Sequence, residues 1–110
     1  MVSTSGRTPA WLVEGVAMYV SGDRRAAPAD RSLAPLSQPG AIARLSGTAQ
    51  ARAYAASSAA AFAIVDRWGD KKLLGLYDAF NDASLRGKPG PRLVNRALKR
   101  ELGATLRDLQ

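Results

Sequence analysis

The segment Thr48–Trp68 constrains this chain more than any other. It runs without a glycine or proline and carries alanine throughout: Thr48-Ala-Gln-Ala-Arg-Ala-Tyr-Ala-Ala-Ser-Ser-Ala-Ala-Ala-Phe-Ala-Ile-Val-Asp-Arg-Trp68. Alanine gives up no side-chain entropy in a helix and is the best helix former. Gly47 precedes the run, Thr48 is a candidate cap, and Gly69 stops it. A single helix over 48–68 is the reading. Tyr54, Ser58, Phe62 and Val65 make one stripe at helical spacing. Ala55, Ala59 and Ala63 flank that stripe and permit a second helix to pack closely.

Three further helices follow from the same logic. Pro9 to about Ser21 opens with Thr8 as N-cap and Pro9 at the first helical position, and Gly22 suits a left-handed stop. Asp70 can cap a helix to about Asp82, with Leu73, Leu76, Tyr77 and Phe80 on its apolar face. Pro91 opens a helix to about Leu102 with Val94, Ala97, Leu98 and Leu102 on one side and Arg92, Arg96, Lys99 and Arg100 on the other. Gly103 ends it, and Thr105 caps a last turn from Leu106 to Leu109. No run shows strand-type alternation and no internal repeat is evident. The expected fold is therefore all-α: one small bundle of about four helices, at about 9–21, 48–68, 70–82 and 91–102. A flexible start, 1–8, precedes it. A long loop, 23–47, follows the first helix. Leu33, Leu36, Ile42 and Leu45 are placed to pin that loop to the surface, with one short helical turn inside it.

The chemistry-bearing residue is Glu14. Its neighbours at three and four residues, Ala10, Trp11, Ala17 and Met18, are all apolar, and no other charge lies between Arg7 and Asp23. The spacing puts Trp11, Glu14 and Met18 on one side of the helix. A carboxylate in such surroundings is paired, hydrogen-bonded or bound to a metal, because burying it alone is costly. Spacing leaves three readings: a Glu at the margin of the apolar face, a Glu paired with an Arg from elsewhere, or a metal ligand. Gly15 beside it costs about 1 kcal/mol against alanine inside a helix, which favours close approach by another helix there.

Pro9-Ala10-Trp11-Leu12-Val13-Glu14-Gly15-Val16-Ala17-Met18-Tyr19 resembles the P-x-W-L-x-E-G-x-A-x-Y helix of gluzincin metallopeptidases, in particular the bacterial peptidase MA-like family. Weaker likenesses follow. Ala53-Tyr54-Ala55-Ala56-Ser57 is similar to an A-Y-A-x-S segment of that family, and Arg67 to Tyr77 is similar to the joint after its long helix. The resemblance implies the C-terminal helical subdomain of a zinc peptidase. Glu14 would be the third zinc ligand, beside two His of an HExxH helix, leaving a fourth position for a water that attacks a peptide. Tyr54 would, weakly, stabilise an oxyanion. The family is often extracytoplasmic, though Met1–Thr8 has no signal-peptide pattern.

The chain departs from that family at a decisive point. It contains no histidine and no HExxH, so the general base is absent too. Only eight residues precede Pro9. The expectation is a half-domain whose partner is the missing N-terminal half or a second copy. Zinc is expected only with an upstream HExxH, and the chain alone is expected to be inactive. It contains no cysteine, which excludes disulfides. No stretch approaches the roughly 20 apolar residues of a membrane span.

The net charge of +7 invites a nucleic-acid or anionic-surface partner. Abundant Ala, Arg, Gly and Pro fit a GC-rich bacterial genome equally well, so nucleic acid is not the expected partner. The stripe Arg92, Arg96, Lys99, Arg100 reads as a solvated face, and Gly87-Lys88-Pro89-Gly90 lacks the Walker spacing and a preceding strand. The rival class is a small basic helical binding module for nucleic acid or a protein partner.

Overall fold

The computed structural model describes residues 6–110, and the part of the expected flexible start that falls on 1–5 lies outside them. The elements in order are α1 (Ala10–Ser21), a 3-10 turn (Ala34–Leu36), α2 (Gly47–Trp68), α3 (Asp70–Ala79), α4 (Pro91–Leu102) and α5 (Leu106–Leu109). No strand occurs among the described residues, so the chain is all-α as its patterning requires. The connection 22–46 contains the 3-10 turn and a further hydrogen-bonded turn over 39–44, and is pinned by buried Leu33, Leu36 and Ile42, with Leu45 partly covered.

Helix ends follow backbone chemistry more than side-chain caps. At α1, Gly22 takes φ 76°, its N–H donates to the Tyr19 carbonyl, and Asp23 N–H donates to Met18 O at 2.8 Å. That is the paired closure a left-handed glycine allows. Gly103 does similar work for α4 at φ 68°, donating to Lys99 O. Three starts differ from the sequence reading. Pro9, not Thr8, is the residue before α1, and its carbonyl accepts from Leu12 and Val13. Ser46, not Thr48, precedes α2, because Gly47 already lies in the helix. Gly69, not Asp70, precedes α3, which leaves Asp70 in the first turn, where its charge suits the helix dipole. Thr105 caps α5 as the sequence indicates, in a reciprocal box with Asp108.

The principal packing is α1 on α2, and it is closest at Gly15. A Cβ built there would lie 2.7 Å from the Ser57 carbonyl oxygen and 3.0 Å from Ala61 Cβ. The mid-helix glycine is thus an approach point, and its propensity cost is offset by the contact. The small-residue face of α2 is not the expected one. Ala53, Ala56, Ser57, Ala60, Ala61 and Ile64 are buried, while Tyr54, Phe62 and Val65 are only partly covered and Ala63 is exposed. Small side chains take the helix contact because they let two backbones approach. The aromatic stripe lies beside it: Tyr19 meets Phe62 edge-on at 5.4 Å, and the Arg24 and Arg25 guanidiniums cover Phe62 and Tyr54.

α3 and α4 supply the other side of the core. Leu73, Leu76 and Phe80 are fully buried, as are Leu93, Ala97 and Leu98. Arg7 joins this half to α1. Its guanidinium donates to the carbonyls of Phe80 (3.0 Å), Asp82 (3.1 Å) and Leu85, holding the end of α3 and the loop after it. The chain is therefore tied down just before Thr8 and Pro9, both buried, in a stretch the sequence suggests is flexible.

Candidate functional site

Glu14 sits on the second turn of α1, with Trp11 and Met18 on its side of the helix; both are buried. Glu14 itself is half-buried, and Ala17 next to it is exposed. The carboxylate borders a cavity of about 210 Å³. Thr8, Ala10 and Val13 of the α1 side line it, facing Pro39, Gly40, Ile42 and Ala43 of the long connection. No hydrogen bond or ion pair to Glu14 exists among the described residues. No Arg from elsewhere pairs with it, and its half-buried position is that of a Glu at the margin of the apolar face. One turn earlier, the buried indole N–H of Trp11 also lacks an acceptor.

Can these residues hold zinc? A catalytic zinc takes three protein ligands and a structural one four. No group of three or more His, Cys, Asp or Glu that could hold a metal ion occurs among the described residues. The sequence offers neither imidazole nor thiolate. Glu14 is one oxygen donor without a second, so this donor set by itself does not fit the metal.

Tyr54 and Glu14 are not brought together at this cavity, since Tyr54 is not among its lining residues. The Tyr54 ring lies under the Arg25 guanidinium, 5.8 Å from its centroid. Ser58, on the same stripe, is fully spent on the backbone that leaves α1: its hydroxyl accepts from Arg25 N–H and donates to Asp23 O, both at 2.9 Å. Its task is to fasten the chain after α1, the packing role the spacing allows.

A second hollow was not legible in the sequence. Gln38 of the long connection, Lys88–Pro91 of the loop before α4, and Arg92, Leu93 and Arg96 of α4 enclose about 540 Å³. Gln38 Nε2 donates to Pro89 O at 3.3 Å, which closes one end. Arg96 lies across Gly87, where a Cβ would meet its guanidinium at 2.0 Å. Its cations lie within residues 88–96, and only Gln38, about 50 residues earlier, comes from a distant part of the chain.

The perturbed carboxylates lie elsewhere and do structural work. Asp82 is held below the ordinary carboxylate range by Ser84, whose backbone N–H it accepts at 2.9 Å. Asp108 is lowered by the Thr105 N–H at the same distance. Asp30 is lowered by hydrogen bonds from Ser32. Burial, then the nearby Asp78, pushes the Tyr77 hydroxyl up. None of these groups borders the Glu14 cavity. No helix among the described residues is long and apolar enough to cross a membrane.

Comparisons with protein-family models, with curated proteins and with solved structures find no match to this chain.

Proposed function

We propose that this chain is the helical, Glu-bearing part of a gluzincin-type zinc peptidase, in which Glu14 is one metal ligand and two imidazoles come from a segment outside these 110 residues. The observation that carries the reading is the state of Glu14. It is half-buried, makes no side-chain hydrogen bond or ion pair among the described residues, lines a cavity, and is the one charged residue of its helix. A half-buried carboxylate without a protein partner is open to water or to a ligand that enters the cavity. Farther along α1, on another face, Val20 is 74% exposed, the largest exposure of a bulky apolar side chain among the described residues, which is consistent with a covering partner. Because the chain has no His, the second and third ligands have to be supplied by that partner segment. Tyr54, outside the lining of the Glu14 cavity, is the weaker part of the proposal, as a stabiliser of an oxyanion.

The test is reconstitution. The chain alone is expected to bind zinc weakly at best and to leave peptides intact. Adding a segment that bears HExxH, by fusion or in trans, should give stoichiometric zinc binding and peptide hydrolysis, and Glu14→Ala should abolish both. Hydrolysis by the isolated chain that survives a chelator and ignores Glu14→Ala would overturn the reading.

A further inference from the structure

The 540 Å³ hollow between the long connection and α4 has an unusual lining: three cations and no acid. Lys88, Arg92 and Arg96 border it with Gln38, and none of the three cations makes a hydrogen bond or ion pair among the described residues. The contrast lies one turn further along α4. Arg100 is engaged by Asp82 at 3.5 Å and Glu101 at 3.0 Å. Acids are thus available in this half of the molecule and are spent away from the hollow.

Arg96 also lies close to the loop before α4. Its guanidinium rests against Gly87, which has φ 136° and no side chain to displace it. An exposed guanidinium with its N–H groups unused is open to a carboxylate, which its planar fork can meet in a bidentate pair. Gln38 adds a neutral amide at the opposite wall.

Position supplies the last part of the argument. Gln38 borders the cationic hollow while Pro39 and Gly40, the next two residues, border the Glu14 cavity. One turn of chain is therefore the common wall of both. An extended peptide advances about 3.3 Å per residue, so a segment passing Glu14 reaches the far side of a three-residue turn within a few residues.

We propose that this hollow is a carboxylate-binding subsite for an acidic stretch of polypeptide, with Lys88, Arg92 and Arg96 taking Asp or Glu side chains. Its placement beside a peptide path rests on the reading of Glu14 given above; its capacity to bind acidic peptide does not. A peptide is favoured over nucleic acid because no aromatic side chain lines the hollow for a base to stack on.

The experiment is fluorescence anisotropy on the full chain, with a labelled Glu/Asp-rich octapeptide, its Gln/Asn counterpart and a short DNA duplex. The acidic peptide should bind and the neutral one should not. Binding should weaken as salt is raised, because the contacts are near the surface. Arg92→Gln with Arg96→Gln should weaken it at least about tenfold, as lost charge-assisted pairs do. Both residues are exposed, so these variants should retain the parent's helical circular dichroism. Glu14→Ala should leave binding unchanged, which separates this proposal from the zinc reading. Equal binding of the neutral peptide, indifference to the Arg92/Arg96 pair, or tighter binding of the duplex than of the acidic peptide would each overturn it.

Discussion

α1 and α4 are both 12 residues long, and they are built on opposite plans. α4 divides cleanly. Leu93, Val94, Ala97 and Leu98 are buried, and Arg92, Arg96, Lys99 and Arg100 face water. α1 has one charged residue, Glu14, and apolar side chains on every side, yet Ala17 and Val20 are exposed and Val13, Val16 and Tyr19 only partly covered. An amphipathic helix such as α4 needs one neighbour surface and is complete within this chain. A helix apolar all round asks to be covered all round. The comparison teaches where to look for function. The chain satisfies α4 internally except for its unpaired cations, and leaves α1 with uncovered apolar side chains and a lone carboxylate.

The largest effect expected is in α4. Leu98→Ala removes a fully buried side chain from the α3–α4 side of the core. It should cost about 2–5 kcal/mol of unfolding free energy, measured by chemical denaturation. A loss under about 1 kcal/mol would mean that α4 is held less by its apolar row than by something else.

The next largest probes α1. Gly15→Ala improves helix propensity by about 1 kcal/mol but places a methyl against the Ser57 carbonyl, which is backbone and cannot turn away. Overpacking of about 1–3 kcal/mol should dominate and destabilise the protein. Gly75→Ala is the control. Its new methyl would meet only Glu101 Oε1 at 3.7 Å, an ordinary contact, so stability should rise by up to about 1 kcal/mol. Two glycines inside helices should therefore respond with opposite signs. Equal responses would show that α1 and α2 are not in close backbone contact.

The smallest effect concerns how the ends are fastened. α1 begins at Pro9 with no side-chain cap, whereas the chain after α4 is fixed by the Thr105–Asp108 box. Asp108 is held below its ordinary value of 3.8 in the folded state. Its contribution is thus fully present above the unfolded value and disappears as pH falls through the folded one. Asp108→Ala should lower the melting temperature slightly at neutral pH, and the gap to the parent should close in acid below the ordinary carboxylate range. A gap that persists unchanged there would assign the effect to packing.

Much of the fold was legible because it is local. The alanine run of α2, the apolar face Leu73, Leu76, Tyr77 and Phe80, and the glycines at 22 and 103 each act within a few residues of themselves. Gly15 was legible for a subtler reason: an unfavourable residue in a good helix asks for a compensating contact. The buried face of α2 was misjudged because alanine is equally at home on any side of a helix, and only the approach of α1 chooses between them. Arg7 was unreadable. One arginine in a polar stretch gives no sign that it will hold carbonyls at 80, 82 and 85.

The candidate site divides along the same line. Sequence by itself determined that α1 would be a helix with a single carboxylate among apolar neighbours, because side-chain spacing on a helix is fixed by its pitch. It determined too that no imidazole or thiolate of this chain could join Glu14. Only the tertiary structure decided that no arginine reaches that carboxylate and that a cavity opens beside it. It likewise decided that Lys88, Arg92 and Arg96 share one hollow with Gln38. Those facts depend on where segments distant in the chain come to rest, and that is set by packing, not by the pattern of any one segment.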